Sequence, residues 1–175
     1  MGSIDTLSFL LVRELRDLYD AEQRLTKAIP KLVEKSSSSD LINALSKHLN
    51  ETRLHVARLE EAFEDLGEEA ETETCAAMKG LISEGDDLVG DCEEGSVRDA
   101  AIITAAQRVE HYEIAAYGTA IAHARLLGRE PVARVLEATL AEEKAANHAL
   151  TEVAENIVNP EAKAGIDEVR PRTMA

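Results

Sequence analysis

Each of four long helical segments in this chain carries a carboxylate at mid-length, on or beside the face that helical spacing assigns to a core. The clearest case runs from Ile103 to Ala124. There Ile103, Ala106, Glu110, Glu113, Tyr117, Ile121 and Ala124 recur at steps of three and four, the spacing of one helix face. A carboxylate on a buried face is costly unless it is paired, protonated or bound to a cation. Any fold for this chain must therefore place the carboxylates where they help one another.

Taken in order, the first helix is predicted from about Asp5 to Lys35, capped by Ser3 or Asp5. Its stripe is Leu11, Leu15, Leu18, Glu22, Leu25, Ile29 and Leu32, and Pro30 predicts a kink or an early stop. The second helix is predicted from about Asp40 to Leu66, with Leu45, Leu49, Thr52, Val56, Leu59 and Phe63 as its apolar row. His48, Glu51 and His55 run along one edge of that row, and Gly67 stops the helix. The link from Gly67 to Gly95 holds a short helix within Cys75 to Leu88. It is far longer than the usual helix connection and predicts a crossover joining parallel neighbours.

Ser96 with Asp99 resembles a capping box for the third long helix, which Gly128 ends; Pro131 suits the first turn of the fourth. The fourth stripe is Val132, Leu136, Thr139, Glu143, Ala146, Leu150, Val153 and Ile157. Residues 1–160 are expected to form one four-helix bundle, and residues 161–175 a polar C-terminal tail.

Composition agrees with an all-α chain. Of the 175 residues 45% are hydrophobic, only four are proline and nine glycine, and no segment alternates at period two. The formal net charge of −15 argues against a nucleic-acid partner, which needs a concentrated basic surface. No N-terminal run resembles a signal peptide, and no window reaches the roughly 18 apolar residues of a membrane span. The expected location is the cytoplasm. Cys75 and Cys92 lie too far apart along an intact helix to join, so both read as structural or incidental thiols.

The candidate ligands are Glu22, Glu51, His55, Glu110, Glu113 and Glu143. His55 lies one turn beyond Glu51, so both can face the same point. Five carboxylates sharing one dry layer repel unless several are protonated or cations neutralise them. Two divalent ions bridged by carboxylates, with an imidazole completing the shell, resolve the conflict. A single Glu on a stripe is ordinarily a boundary residue that reaches solvent; one on every helix, all at mid-length, favours a metal centre. An oxygen-rich set with imidazole points to iron or manganese, with zinc as a substitute. His48 and His111 read as groups beside a ligand or as hydrogen-bonded core residues, and His123 and His148 as surface residues. Tyr19, Tyr112 and Tyr117 all flank candidate ligands.

Several blocks carry a family resemblance: DLYDAEQRL (Asp17 to Leu25), HLNETRLHVARLE (His48 to Glu60), AMKGLISEG (Ala77 to Gly85), VEHYEIAAYG (Val109 to Gly118) and LAEEKAANHAL (Leu140 to Leu150). In this order they resemble the ferritin-like stress proteins of the YciE/YciF type. The resemblance implies a ferritin-like four-helix fold, a dimetal site inside it and a homodimer. The wider ferritin-like pattern is Glu, Glu-x-x-His, Glu, Glu-x-x-His on successive helices. This chain departs from it twice: Glu51 and His55 are four apart, and Glu143 is followed by Ala146 and Asn147 where a second His is expected. The third helix adds Glu110-x-x-Glu113, similar to the peroxide-handling rubrerythrins. The expected function is a dimetal centre reacting with peroxide or dioxygen in stress protection. The rivals are metal sequestration without turnover and a structural helical oligomer.

Overall fold

The computed structural model describes residues 4–164. Helices joined by loops make up the described residues, with no strand among them: α1 (Leu7–Lys35), α2 (Ser39–Leu66), α3 (Ala76–Gly90), α4 (Ser96–Leu126), α5 (Glu130–Val153), a π-helical turn (Ala154–Val158) and α6 (Asn159–Ala164). No helix among the described residues is long and apolar enough to cross a membrane.

Helix ends follow local chemistry, with departures from the expectation at three places: α1, the start of α4 and the C-terminus. Thr6 caps α1 by accepting the Phe9 N–H, so Asp5 lies before the helix rather than at its cap. Pro30 does not stop α1; Leu32 and Val33 beyond it pack against the core and hold the last turn in place. Gly67, at φ 72°, closes α2 in the left-handed conformation that glycine adopts without strain.

The Ser96–Asp99 capping box is the second departure. α4 starts after Gly95 with no side-chain cap. Buried Asp99 instead accepts the N–H groups of Ser37 and Ser38, both at 2.8 Å. Two aligned main-chain donors at the α1–α2 turn hold both carboxylate oxygens, so Asp99 ties the start of α4 to the entry of α2.

The third departure is at the C-terminus. The chain stays helical past Pro160 to Ala164, inside the stretch expected as a tail; residues 165–175 lie outside the described ones. The π-turn widens the helix and rotates its face. Ala154 and Val158 are buried there, whereas Val153 and Ile157 of the expected stripe are half-buried.

α1 packs on α2 and α4, and α5 packs on the same two helices from the other side; α3 lies against α4 and α1. The apolar core falls into two clusters. One gathers Leu25, Ile29, Leu41, Leu45, Ile102 and Leu150. The other gathers Leu15, Leu18, Leu59, Phe63, Tyr117 and Leu136. α2 and α4 pass from the first cluster to the second, and α1 and α5 the opposite way. α2 and α4 are therefore parallel, but each packs chiefly on α1 and α5 rather than on the other. The expectation of parallel neighbours is corrected here: the long link joins helices that lie across the core from each other. Between the two clusters, all four long helices present their buried polar side chains.

Candidate metal centre

Glu22, Glu113 and Glu143 are fully buried, as is His55, and Glu110 is 2% exposed. They converge in two groups that share one member. Glu22, His55 and Glu143 form the first; His48, Glu110, Glu113 and Glu143 form the second. Within each group the potential ligand atoms lie within 4.8 Å of one another. His55 Nδ1 is 2.9 Å from Glu143 Oε1 and 3.3 Å from Glu22 Oε1. His48 Nε2 is 3.2 Å from Glu110 Oε1 and 3.7 Å from Glu143 Oε2. Glu143 thus offers one oxygen to each imidazole.

The first group is braced from outside. His55 Nε2 lies 2.8 Å from Glu142 Oε2. Arg58 grips that same carboxylate with two N–H groups, at 2.5 and 3.0 Å. This contact holds Glu142 down to about 2, so it is an anion that accepts the His55 Nε2 proton. Nδ1 is thereby turned toward Glu22 and Glu143, the arrangement in which a carboxylate orients a metal-binding histidine. On α4, Tyr117 donates a 2.6 Å hydrogen bond to Glu22 Oε1.

The residues fit a metal ion on a direct observation: their inward atoms lack protein partners. Glu22 Oε2, His55 Nδ1, Glu110 Oε2 and both oxygens of Glu113 and of Glu143 are buried without a hydrogen bond. His55 Nδ1 is close to two carboxylate oxygens but aligned with neither as a hydrogen-bond donor. Such spacings suit adjacent ligands of one octahedral ion, where bonds of about 2.1 Å at right angles put donors about 3 Å apart. Buried polar groups are otherwise nearly always paired.

Electrostatics show the same need for positive charge. Burial, then the neighbouring carboxylates, push Glu110 and Glu113 well above the ordinary Glu range. Burial also raises Glu22, against the pull of His55. Glu143 goes the other way: burial opposes its charge, but His55, His48 and Glu110 outweigh that and lower it. Burial disfavours charge on His55, yet contacts with Glu143 and Glu22 push it up to about 10. Without metal, a protonated His55 supplies part of the missing positive charge, and an ion binding there would displace its Nδ1 proton.

Two residues stand differently from the sequence reading. Glu51 lies at the edge of the layer, outside both groups; its Oε1 meets Lys47 Nζ at 2.6 Å, and its buried Oε2 is 3.8 Å from His48 Nδ1. His48, read as a neighbour of ligands, is 5% exposed and lies inside the second group. The signal was present in the spacing. Leu41, Leu45, His48, Thr52, His55, Leu59 and Ala62 are all buried at steps of four and three, and both histidines belong to that stripe. Ranking residues by hydropathy moves them to its edge. The imidazole missing after Glu143 is thus offered from α2, while Asn147 meets Gln107 at the margin.

The remaining residues fall outside the two groups. His111 and His148 are exposed and His123 is half-buried. Tyr19 donates to Glu60 at 2.7 Å, and Tyr112 donates to Asp17 and lies 3.1 Å from the buried Cys75 thiol. Cys75 also caps α3 by accepting the Met78 N–H, and both cysteines are free.

Known proteins resemble this chain in sequence and shape. Protein YciF of Escherichia coli (strain K12) is 40% identical over 162 residues, which is 92% of this chain and 98% of that one. The crystal structure of the E. coli stress protein YciF superposes with a TM-score of 0.85, covering 89% of this chain and 99% of that one. YcfI from Rhodopseudomonas palustris gives the same TM-score at 47% identity, covering 87% and 97%. A Xanthomonas campestris pv. campestris protein, at 22% identity and a TM-score of 0.71 over 92% and 99% of the two chains, shares the fold. Residues 6–163 match the domain of unknown function DUF892, and the chain belongs to that family.

Proposed function

We propose that this protein is a ferritin-like four-helix bundle, with α3 in the crossover, whose buried layer holds two iron or manganese ions and reacts with peroxide or dioxygen in stress protection. Glu22, His55 and Glu143 would hold one ion; His48, Glu110, Glu113 and Glu143 would hold the other. Glu51 stands at the edge, within reach if its contact with Lys47 opens. Such an ion pair supplies one-electron redox capacity and Lewis acidity at a shared site.

The chain's own residues do the rest. Glu142 and Arg58 fix the orientation of His55, and Tyr117 holds one oxygen of Glu22. Glu113, fully buried with neither oxygen hydrogen-bonded, has no protein partner to hold it off an ion. The apolar clusters above and below the layer exclude water and strengthen every charge interaction inside it. The resemblance to the E. coli stress protein brings the stress role into this reading, and the cytoplasmic location and the homodimer expected from the sequence complete it.

The observation that carries the proposal is Glu143: one fully buried carboxylate whose two oxygens, both without hydrogen bonds, serve two imidazole-containing groups. Metal analysis of protein purified without tag or chelator tests it. The expected content is up to about two Fe or Mn per chain, by the bridged-site logic of. Protein that takes up no transition metal after anaerobic reconstitution would sink the reading, and a very large particle in size-exclusion chromatography would favour sequestration in a cage.

A further inference from the structure

A partly open apolar cavity of about 40 Å³ reaches the second group from the side where α3 covers α1 and α4. One water needs roughly 10–15 Å³ on the same scale, so the space suits a molecule of several heavy atoms. Its lining is graded. Half-buried Ala28, Leu32, Leu81 and Ile82, with exposed Asp86, form the mouth; buried Leu25, Ile29 and Val109 line the passage. His48 and Glu110 are its only polar members below the mouth; Glu110 Oε2 is buried with no hydrogen bond, and His48 Nε2 stands 3.2 Å from the other Glu110 oxygen. α3 approaches closely enough to need a glycine at Gly85, where a Cβ would come within 3.0 Å of the Ala105 Cβ. The crossover helix therefore sits directly over the cavity.

An apolar wall with a polar floor selects an uncharged molecule having an apolar body and one polar end. A small anion is disfavoured twice, by the apolar walls and by the chain's formal charge of −15. We infer that this cavity is a binding subsite for a short alkyl compound carrying one O–H head, of the alkyl hydroperoxide class, with the head against His48 and Glu110. The inference rests on the proposed metal centre for the choice of a hydroperoxide as oxidant, but the binding itself needs only this chain's own residues.

The test is a titration of the metal-free full-length protein, followed by NMR, with tert-butanol as the unreactive stand-in and tert-butyl hydroperoxide as the second probe. Both should produce saturable shifts at Leu25, Ile29 and Val109 and on the His48 ring, whereas acetate should produce none. Ala28→Phe, at the mouth, should weaken both probes at least tenfold. Ala106→Leu fills the space from the floor and should do the same; melting curves confirm that each variant is folded. No saturable shift, equal binding of acetate, or unchanged affinity in both folded variants would overturn the subsite. If tert-butanol binds and the hydroperoxide does not, the assignment to hydroperoxides is overturned. Metal content measured on the same preparations separates the two ideas, because binding that persists in protein unable to take up metal defeats the proposed centre alone.

Discussion

On the His55 side of Glu143 the scaffold supplies a hydrogen bond to each other member of the group: Glu142 to His55 and Tyr117 to Glu22. On the His48 side no such bond braces Glu113, whose two oxygens are both unpaired, and His48 and Glu110 line an apolar cavity instead of meeting a bracing partner. One half is built in advance and the other is left adaptable. A rigid half keeps its geometry at the cost of freedom; an adaptable half can change its contacts when a ligand arrives. If the two groups hold ions as proposed, the contrast predicts retention at the first and exchange at the second.

The comparison can be broken most severely at the residue both halves share. Glu143→Ala should remove most bound metal from both groups, lowering affinity by more than about 100-fold; metal analysis after dialysis against a weak chelator would show it. Loss from one group only would mean that Glu143 is not shared. Arg58→Met comes next. It releases Glu142, so His55 loses its orientation, and affinity at the first group should fall by about 10–100-fold while the second is spared. Equal losses at both groups in a metal titration would erase the distinction between braced and adaptable halves.

A pH series sharpens the contrast without metal. Glu22, Glu110, Glu113 and His55 all have folded pKa values above their ordinary ones, so the folded protein holds more protons than the unfolded chain. Their stabilisation is present at low pH and lost as pH rises through the folded values. His48 is shifted down by burial, so its effect opposes the others, but only below its unfolded value of about 6.5. Glu143 and Glu142 are lowered, and their stabilisation is lost only as pH falls below about 4.5. Between about pH 6.5 and 8 the slope therefore has one sign. Metal-free protein should lose about 1–2 kcal/mol across that window for each proton retained only in the fold. Glu113→Gln should flatten the slope, and in metal-loaded protein it should erase an expected preference for hydrogen peroxide over dioxygen in stopped-flow oxidation. A metal-free protein with level stability from pH 6.5 to 8, read by urea denaturation, would show that these carboxylates reach water.

The smallest effect is expected from Tyr117→Phe. It removes one hydrogen bond from Glu22 and leaves a buried carboxylate oxygen unpartnered, for about 1–3 kcal/mol in the metal-free protein. The loss should shrink once metal is bound. A larger loss in the loaded protein would mean that Tyr117 braces the bound state and not the empty one.

Much of this was legible in the order of residues. All seven members of the Ile103–Ala124 stripe are buried, and so are Glu22 and Glu143 on theirs. Gly67 and Pro131 mark the end of one helix and the start of another, as their backbone preferences require. Periodicity is a local property, since the angle of a side chain around its own axis follows from 3.6 residues per turn. Spacing therefore assigns all six expected ligands to one layer, and five of them, Glu51 excepted, are buried.

What only the tertiary structure decided is which of those interior groups meet. The packing of α2 brings His48 inward with His55 and leaves Glu51 with Lys47 at the edge, which hydropathy alone does not resolve. The offset between α2 and α5 lets Glu143 reach both imidazoles and lets Glu142, exposed by its own periodicity, orient His55 from outside. Asp99 was open to a local cap and instead binds a turn more than sixty residues away. Rotation and offset between helices are set by how two side-chain surfaces interlock. That depends on all the helices at once, so no single stretch of sequence contains it.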